Sequence, residues 1–304
     1  MTEAETLQSF TIENLPDLDV VVMGALELFE GAELPDTTVP FRRPLVIGSA
    51  GAETVGRILF NQSDAVFASE SNFESAFDRV PEIDGAVLIS ASGGKHAVEL
   101  ARKLKERGLP AVLFTSNPEA SAMEYFEAKA VRLFPKNREP YTYNTSTYLG
   151  MILADTGEKA GEIKRFIATH FADDLVPTLS SSTAFTFILP GEFAELRSML
   201  RTKFDELFGP KLVGRFFTTE EVKHAKTVIA DDNELFLNFT GRPLGQSKEL
   251  ALSLPERYAG ALAATYFVVG LIQRSQPPYF KNNIVRYSEE ASAIFGQSIE
   301  PIVD

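Results

Sequence analysis

Residues 84–117, DGAVLISASGGKHAVELARKLKERGLPAVLFTSN, leave the chain few ways to fold. Residues 85–90 are an apolar run of the length a buried parallel strand needs. Ser90-Ala91-Ser92-Gly93-Gly94 then interrupts it with small residues, whose backbone can bend sharply and let a ligand approach closely. From 97 to 107, Val98, Leu100, Ala101 and Leu104 recur at helical spacing, and Gly108 stands where a helix-ending glycine belongs. Residues 111–114 form the next strand. A strand–helix–strand unit predicts a parallel sheet, and it puts the Ser/Gly loop where open α/β sheets bind ligands. Such a loop offers main-chain N–H groups, hydroxyls and the positive end of a helix, a combination that suits phosphate. It is neither a P-loop nor a dinucleotide fingerprint. A plain strand-to-helix turn is the lesser alternative reading of the same residues.

The 304 residues suffice for two ordinary domains or one large α/β unit. A net charge of −13 disfavours nucleic acid as a partner. The lack of cysteine excludes disulfides, zinc thiolate sites and cysteine nucleophiles. The acidic start MTEAETLQSF has no signal-peptide pattern, and the most apolar segment, 258–272, is too short for a membrane span. These features predict a soluble, cytoplasmic protein with no membrane partner.

Residues 1–40 hold one helical pattern, at 18–29, between Pro16 and a turn-rich 31–40; it reads as a packing or dimer helix. Strands are expected at 44–47, 65–69 and 130–134, and helices at 73–77 and 122–129. Gly48 and Ser49 open a second small-residue junction into a helix. The polar cluster 139–148 leads into a helix over 146–153. Beyond it come a helix at 161–171, a strand at 184–189, a helix at 192–208 and a strand at 212–218. Thr218-x-x-Glu221 starts a helix as a capping box, followed by a strand at 233–239 and a long apolar helix at 256–274. The alternation suggests two related α/β halves, divided as a helical segment 1–40, a first half 41–158 and a second half 159–304. Residues 241–255 leave little room for a further helix–strand pair, which predicts a truncated second sheet.

The strand and loop ISASG, its helix and the strand PAVLFTSN resemble the phosphosugar-binding loop of the sugar isomerase (SIS) domain family. Ser90, Ser92 and Gly93 match the family's Ser-x-Ser-Gly-x-Thr; Gly94 follows, and Lys95 stands where threonine is usual. The resemblance implies a double-SIS α/β fold: two flavodoxin-like three-layer halves with mainly parallel sheets. It implies sugar contacts from Gly48 and Ser49, and from Glu139 and Thr145, which match a Glu-x-x-x-x-Ser-Thr stretch with Asn144 in the serine position. That stretch also reads as a capped helix start. In the second half, Lys203-x-x-Glu206 resembles the segment that carries the family's catalytic glutamate. Glu220-Glu221-Val222-Lys223-His224 resembles the one whose histidine opens the sugar ring, with His224 18 residues after Glu206. Gln276-Pro277-Pro278 and 283–286 resemble the C-terminal motif, with Arg286 in place of lysine. Taken singly, Lys203 and Glu206 also read as a solvated pair on one helix face, and His224 as a surface residue.

The implied activity is aldose–ketose isomerisation of a hexose 6-phosphate, similar to the bifunctional phosphoglucose/phosphomannose isomerases. Glu206 would carry the proton between C1 and C2, His224 would assist ring opening, and Arg286 or Lys203 would stabilise the developing anion. No metal or cofactor is called for. The partners expected are a phosphorylated sugar and a second copy of the chain, with no nucleic acid. Two further readings stand beside this: a deglycase or aminosugar-phosphate isomerase, and a non-catalytic phosphosugar-binding protein, which the residues at 95 and 286 favour. His96 adjoins the loop; Tyr141 and Tyr143 are candidates to stack on a sugar face, though aromatic packing is the favoured explanation for them; His170 is given no role.

Overall fold

The computed structural model describes residues 2–94, 96–171, 175–225, 231–246 and 248–304, save the side chain of residue 225. Two short elements, α1 (Glu3–Ser9) and a 3-10 turn (Ile12–Asn14), precede α2 (Leu18–Gly31). The first sheet is built from β1 (Pro44–Ile47), β2 (Val66–Ala68), β3 (Gly85–Ile89), β4 (Ala111–Thr115) and β5 (Val131–Leu133), connected through α3 (Gly51–Leu59), α4 (Phe73–Arg79) and α5 (His96–Glu106). All its pairings are parallel, in the order β2-β1-β3-β4-β5. The order reverses between β1 and β3, where a doubly wound sheet opens a crevice at its strand C-termini.

A short strand β6 (Glu139–Pro140) then leads to α6 (Thr145–Thr156), α7 (Ala160–His170) and α8 (Val176–Ser180). The second sheet comprises β7 (Ala184–Leu189), β8 (Val213–Thr218), β9 (Glu234–Asn238) and β10 (Glu249–Ala251), with α9 (Leu196–Phe208) and α10 (Thr219–Ala225) between its strands. It is also parallel, in the order β10-β9-β7-β8, the strand order of the first sheet without its last strand. The expected truncation takes this form: β10 has three residues, and no helix joins it to β9 among the described residues. The chain ends with α11 (Tyr258–Ser275), α12 (Tyr279–Phe295) and β11 (Ile302–Val303), which pairs antiparallel with β6.

Alternation along the strands divides the core. Leu45, Ile47, Ala86, Leu88 and Leu113 face α5 with Leu100, Ala101 and Leu104. Val46, Val87, Ile89 and Phe114 face the other way, into a cluster that also holds Phe185, Phe187 and Leu237 of the second sheet. Successive side chains on a strand point to opposite faces, so each sheet is apolar on both sides. Helices α2, α3, α6, α9 and α11 fill the layer between the sheets; fourteen of the eighteen residues of α11 are buried. α2 is thus a packing element. A Cβ on Gly270 of α11 would lie 2.0 Å from the main-chain nitrogen of Asp19, so glycine is what lets the two helices cross so closely.

Residues 122–129, read as one helix, are instead two 3-10 turns, Ser121–Tyr125 and Ala128–Ala130. The Ala122 N–H is spent on the Gly93 carbonyl at 2.9 Å, which ties the segment to the serine loop. α12 was not anticipated as a helix; its buried positions Phe280, Ile284, Ser288 and Ala291 have helical spacing.

Asp19 gives a prediction on stability. Its carboxyl is buried against α11, with Arg274 at 3.5 Å, and burial pushes its pKa up to about 6, opposed by Arg274. A folded pKa above the unfolded value adds stability that is complete below the unfolded pKa and is lost as pH rises through the folded one. Asp19→Asn is expected to be more stable than wild type by about 2 kcal/mol at pH 7.5, with the gap closing by pH 4. Urea unfolding at both pH values checks this; a gap that does not change with pH would refute it.

Candidate functional site

At the C-terminal ends of the first sheet lies a cavity of ≈ 520 Å³. The turn after β1, the loop after β3, the residues after β4 and β5, and the start of α6 form its walls, while Glu206 and the end of α12 reach in from the second half.

Ser90, Ser92 and Gly94 line this cavity. The loop is locked by its own hydrogen bonds: Gly93 N–H donates to Ser90 Oγ at 3.1 Å, Gly94 N–H to Ser92 Oγ at 3.3 Å, and Asn117 Nδ2 to the Ser92 carbonyl at 2.9 Å. Gly93 has φ +58°, and a Cβ there would stand 2.3 Å from Ala120 Cβ. Lys95 lies outside the described residues. Gly48 and Ser49 line the same cavity, and Ser49 Oγ is hydrogen-bonded to the Glu70 carboxylate. The starts of α3, α5 and α6 all face this space. Backbone strain gathers here too. Of the four non-glycine residues with positive φ among those described, Ala50, Thr142 and Asn144 line the cavity, and only Glu82 does not. Such conformations persist where surrounding structure over-determines them, and they cluster at functional sites.

Glu139 is buried, and both its oxygens are taken by α6: Thr145 N–H to Oε2 and Ser146 N–H to Oε1, each 2.7 Å. Burial raises its pKa, against the lowering effect of these hydrogen bonds. Glu139 therefore serves as the cap of α6 as well as a wall of the cavity, the capped-start reading of this stretch. Thr145 sits buried in that first turn and is not among the cavity-lining residues. With the α6 N-terminus already neutralised, the α5 N-terminus is the better placed for an external anion.

Glu206 lines the cavity, with its side chain 23% exposed and its Oε2 2.7 Å from Lys203 Nζ. Lys203 is 4% exposed and also donates to the Thr142 carbonyl at 2.5 Å. The pair is thus largely removed from water, unlike a solvated helix-face pair. Tyr141, Tyr148 and Tyr287 surround the same region. Burial first, and the Glu206 charge second, push their hydroxyls up, that of Tyr287 to about 12. They remain protonated donors at neutral pH. Tyr143 follows the packing reading: it is fully buried, donating to the Pro16 carbonyl and accepting from Gln273 Nε2 at 2.9 Å, so it packs rather than lines.

His224 and Arg286 are not brought to this cavity. His224 is exposed on α10, beside the second sheet; Glu221 of that helix completes the expected capping box with Thr218 and pairs with Arg197. Arg286 lies on the outer face of α12, 77% exposed and paired with Glu290 at 2.7 Å. The imidazole lining the cavity is that of His96, whose ring stands 5.9 Å from Phe295. Lys136 and Asn137 also line it, and the sequence reading did not single them out. They are the third and fourth residues after β5, at the C-terminal end of a parallel strand, and that position was the available signal.

No protein-family model matches this sequence, and no curated protein does. Solved structures do resemble it. Glucosamine-6-phosphate deaminase from Thermotoga maritima has a TM-score of 0.60 at 13% identity, over 90% of this chain and 93% of that one. The C-terminal domain of glucosamine-fructose-6-phosphate aminotransferase from Francisella tularensis gives 0.59 at 13% identity, over 90% and 92%. Tagatose-6-phosphate ketose/aldose isomerase from Escherichia coli gives 0.57 at 13% identity, over 79% and 84%. The resemblance to SIS-domain proteins therefore holds at the level of the fold. Among the described residues, no helix is long and apolar enough to cross a membrane.

Proposed function

We propose that this chain is a phosphosugar isomerase that interconverts the aldose and ketose forms of a hexose 6-phosphate. One observation carries the reading: a serine/glycine loop at the sheet's switch point and a carboxylate paired with a buried lysine share a single cavity. The phosphate is held by Ser90, Ser92 and the N–H groups at the start of α5, with Gly48 and Ser49 at the sugar. Glu206 moves the proton between C1 and C2 through an enediolate. Lys203, already on Glu206, and the tyrosine hydroxyls offset the charge that develops on the sugar oxygens. Residues 41–158 and 159–304 act as two SIS-like halves, joined by the packing segment 1–40. The chain works as a homodimer, and His224 and Arg286 take part only where a second copy brings them to the cavity.

Two measurements test this. Fructose 6-phosphate should be converted to an aldose 6-phosphate, as followed by NMR of the C1 and C2 protons. Glu206→Gln and His224→Ala should each be inactive alone and recover part of the activity when mixed, because one site in the mixed dimer keeps both native residues. Absence of recovery would remove His224 from a shared site. Turnover of no hexose phosphate, with binding retained, would leave a phosphosugar-binding protein instead.

A further inference from the structure

Isomerisation moves two protons, and Glu206 accounts for one of them. The carbon-bound proton passes between C1 and C2, while a second must pass between O1 and O2. One Glu206 oxygen is held by the Lys203 ammonium at 2.7 Å, which leaves the other for the carbon proton. Lys203 is not among the cavity-lining residues; it is spent on Glu206 and the Thr142 carbonyl, and it acts on the sugar only through Glu206. The sugar oxygens therefore need a further group that can both give and take a proton.

Tyr148 is placed for this. It is the fourth residue of α6, it lines the cavity, and the charge of Glu206 acts on it. Its ring rests on the first turn of α3, just after Gly48 and Ser49: a Cβ on Gly51 would come within 2.8 Å of Tyr148 Cε2. The adjoining Thr147 hydroxyl lies 2.6 Å from that of Ser116, which fixes this turn of α6 to the end of β4. Among the described residues the Tyr148 hydroxyl has no hydrogen-bond partner, yet it is not sealed off: it opens on the cavity. Tyr141 and Tyr287 are arranged differently. Their rings pack on each other with centroids 5.9 Å apart, and Tyr287 is 45% exposed.

We infer that Tyr148 is a catalytic residue of the isomerisation, its hydroxyl carrying the proton between O1 and O2 while Glu206 carries the other between C1 and C2. The inference rests on the phosphosugar reading above and adds a residue to it. From the open-chain aldose, Glu206 takes the C2 proton and the C2–H electron pair becomes the C1=C2 bond. The C1=O pair moves onto O1, which takes the Tyr148 proton. The enediol then gives its O2 proton to the tyrosinate, and the O2–H pair becomes the C2=O bond. The C1=C2 pair meanwhile takes the proton back from Glu206 at C1. Both side chains end as they began, and no other reactant is consumed. The charges favour this order. Burial, and after it the Glu206 charge, opposes ionisation of the Tyr148 hydroxyl. Once Glu206 holds the carbon proton its charge is gone, so tyrosinate is least disfavoured at the step that forms it.

Tyr148→Phe keeps the ring against Gly51 and removes only the hydroxyl. With fructose 6-phosphate its kcat should fall by about 10²–10³-fold, the usual cost of losing one donor at a developing oxyanion, with KM little changed. Tyr287→Phe, the same change at the more exposed ring, should stay close to wild type. Two binding probes separate chemistry from structure. 5-Phosphoarabinonohydroxamate has a planar, ionisable end that mimics the enediolate, whereas glucitol 6-phosphate has no carbonyl to enolise. In calorimetric titrations Tyr148→Phe should bind the hydroxamate about tenfold or more weakly than wild type does, and glucitol 6-phosphate within about threefold. Undiminished kcat in Tyr148→Phe overturns the inference, as does an affinity for the hydroxamate that falls no further than that for glucitol 6-phosphate. Both results leave the phosphosugar reading standing. Wild type that converts no hexose 6-phosphate would overturn the two together.

Discussion

Glu206→Gln is expected to lower kcat for hexose 6-phosphate isomerisation by about 10²–10⁴-fold, the usual contribution of a positioned acid–base group. Glutamine keeps the shape of the side chain and an oxygen for the Lys203 ammonium, which lies 2.7 Å from the native carboxylate. The surrounding Tyr141, Tyr148 and Tyr287 are left unchanged around the same cavity. KM should therefore change little while kcat collapses, the pattern of an interaction made only in the transition state. A second readout separates chemistry from structure. Wild type in D2O should exchange the carbon-bound proton at C2 with solvent, and Glu206→Gln should not. Equal rates in the two proteins would exclude Glu206 from proton transfer and leave the cavity as a binding site.

The second large effect falls on the serine loop. Gly93→Ala forces a side chain into a left-handed conformation at φ +58° and drives its Cβ to 2.3 Å from that of Ala120. The conformation alone costs about 1–2 kcal/mol, and the clash adds to it. Relief requires moving the Gly93 carbonyl, which accepts from Ala122 at 2.9 Å, or its N–H, which donates to Ser90 Oγ. Either movement misplaces the groups that would hold phosphate. The variant should lose about 2–4 kcal/mol of stability and most of its affinity for sugar phosphates. Gly94→Ala is the control. Its φ is not positive, and the nearest atom to its Cβ is Gln297 Oε1 at 3.6 Å, an ordinary contact. Thermal melts with and without glucose 6-phosphate check the pair; similar behaviour of the two variants would refute a locked loop.

Much of the fold was legible because parallel strands are written in runs that bury both faces. GAVLI and AVLFT each place apolar residues toward two layers, and the helix between them ends at Gly108 with φ +64°. The misreadings have local causes. Residues 122–129 contain good helix formers, yet the Ala122 N–H is claimed by Gly93, 29 residues earlier in the chain, and a tertiary hydrogen bond outweighs weak propensity. Arg286 matched a motif by type, while Phe280, Ile284, Ser288 and Ala291 already marked a different face of that helix as buried.

The sequence by itself determined the βαβ unit, the parallel sheets and the serine/glycine loop at their switch point, because these depend on patterns within some thirty residues. It also paired Lys203 with Glu206, which are neighbours on one helix turn. Only the tertiary structure decided which distant groups share a cavity. It carried Glu206 to the loop across more than a hundred residues of chain, left His224 and Arg286 outside, and placed Lys136 and Asn137 within. Those choices follow from how α9, α11 and α12 pack between and beyond the sheets, a burial of surface that no local pattern encodes.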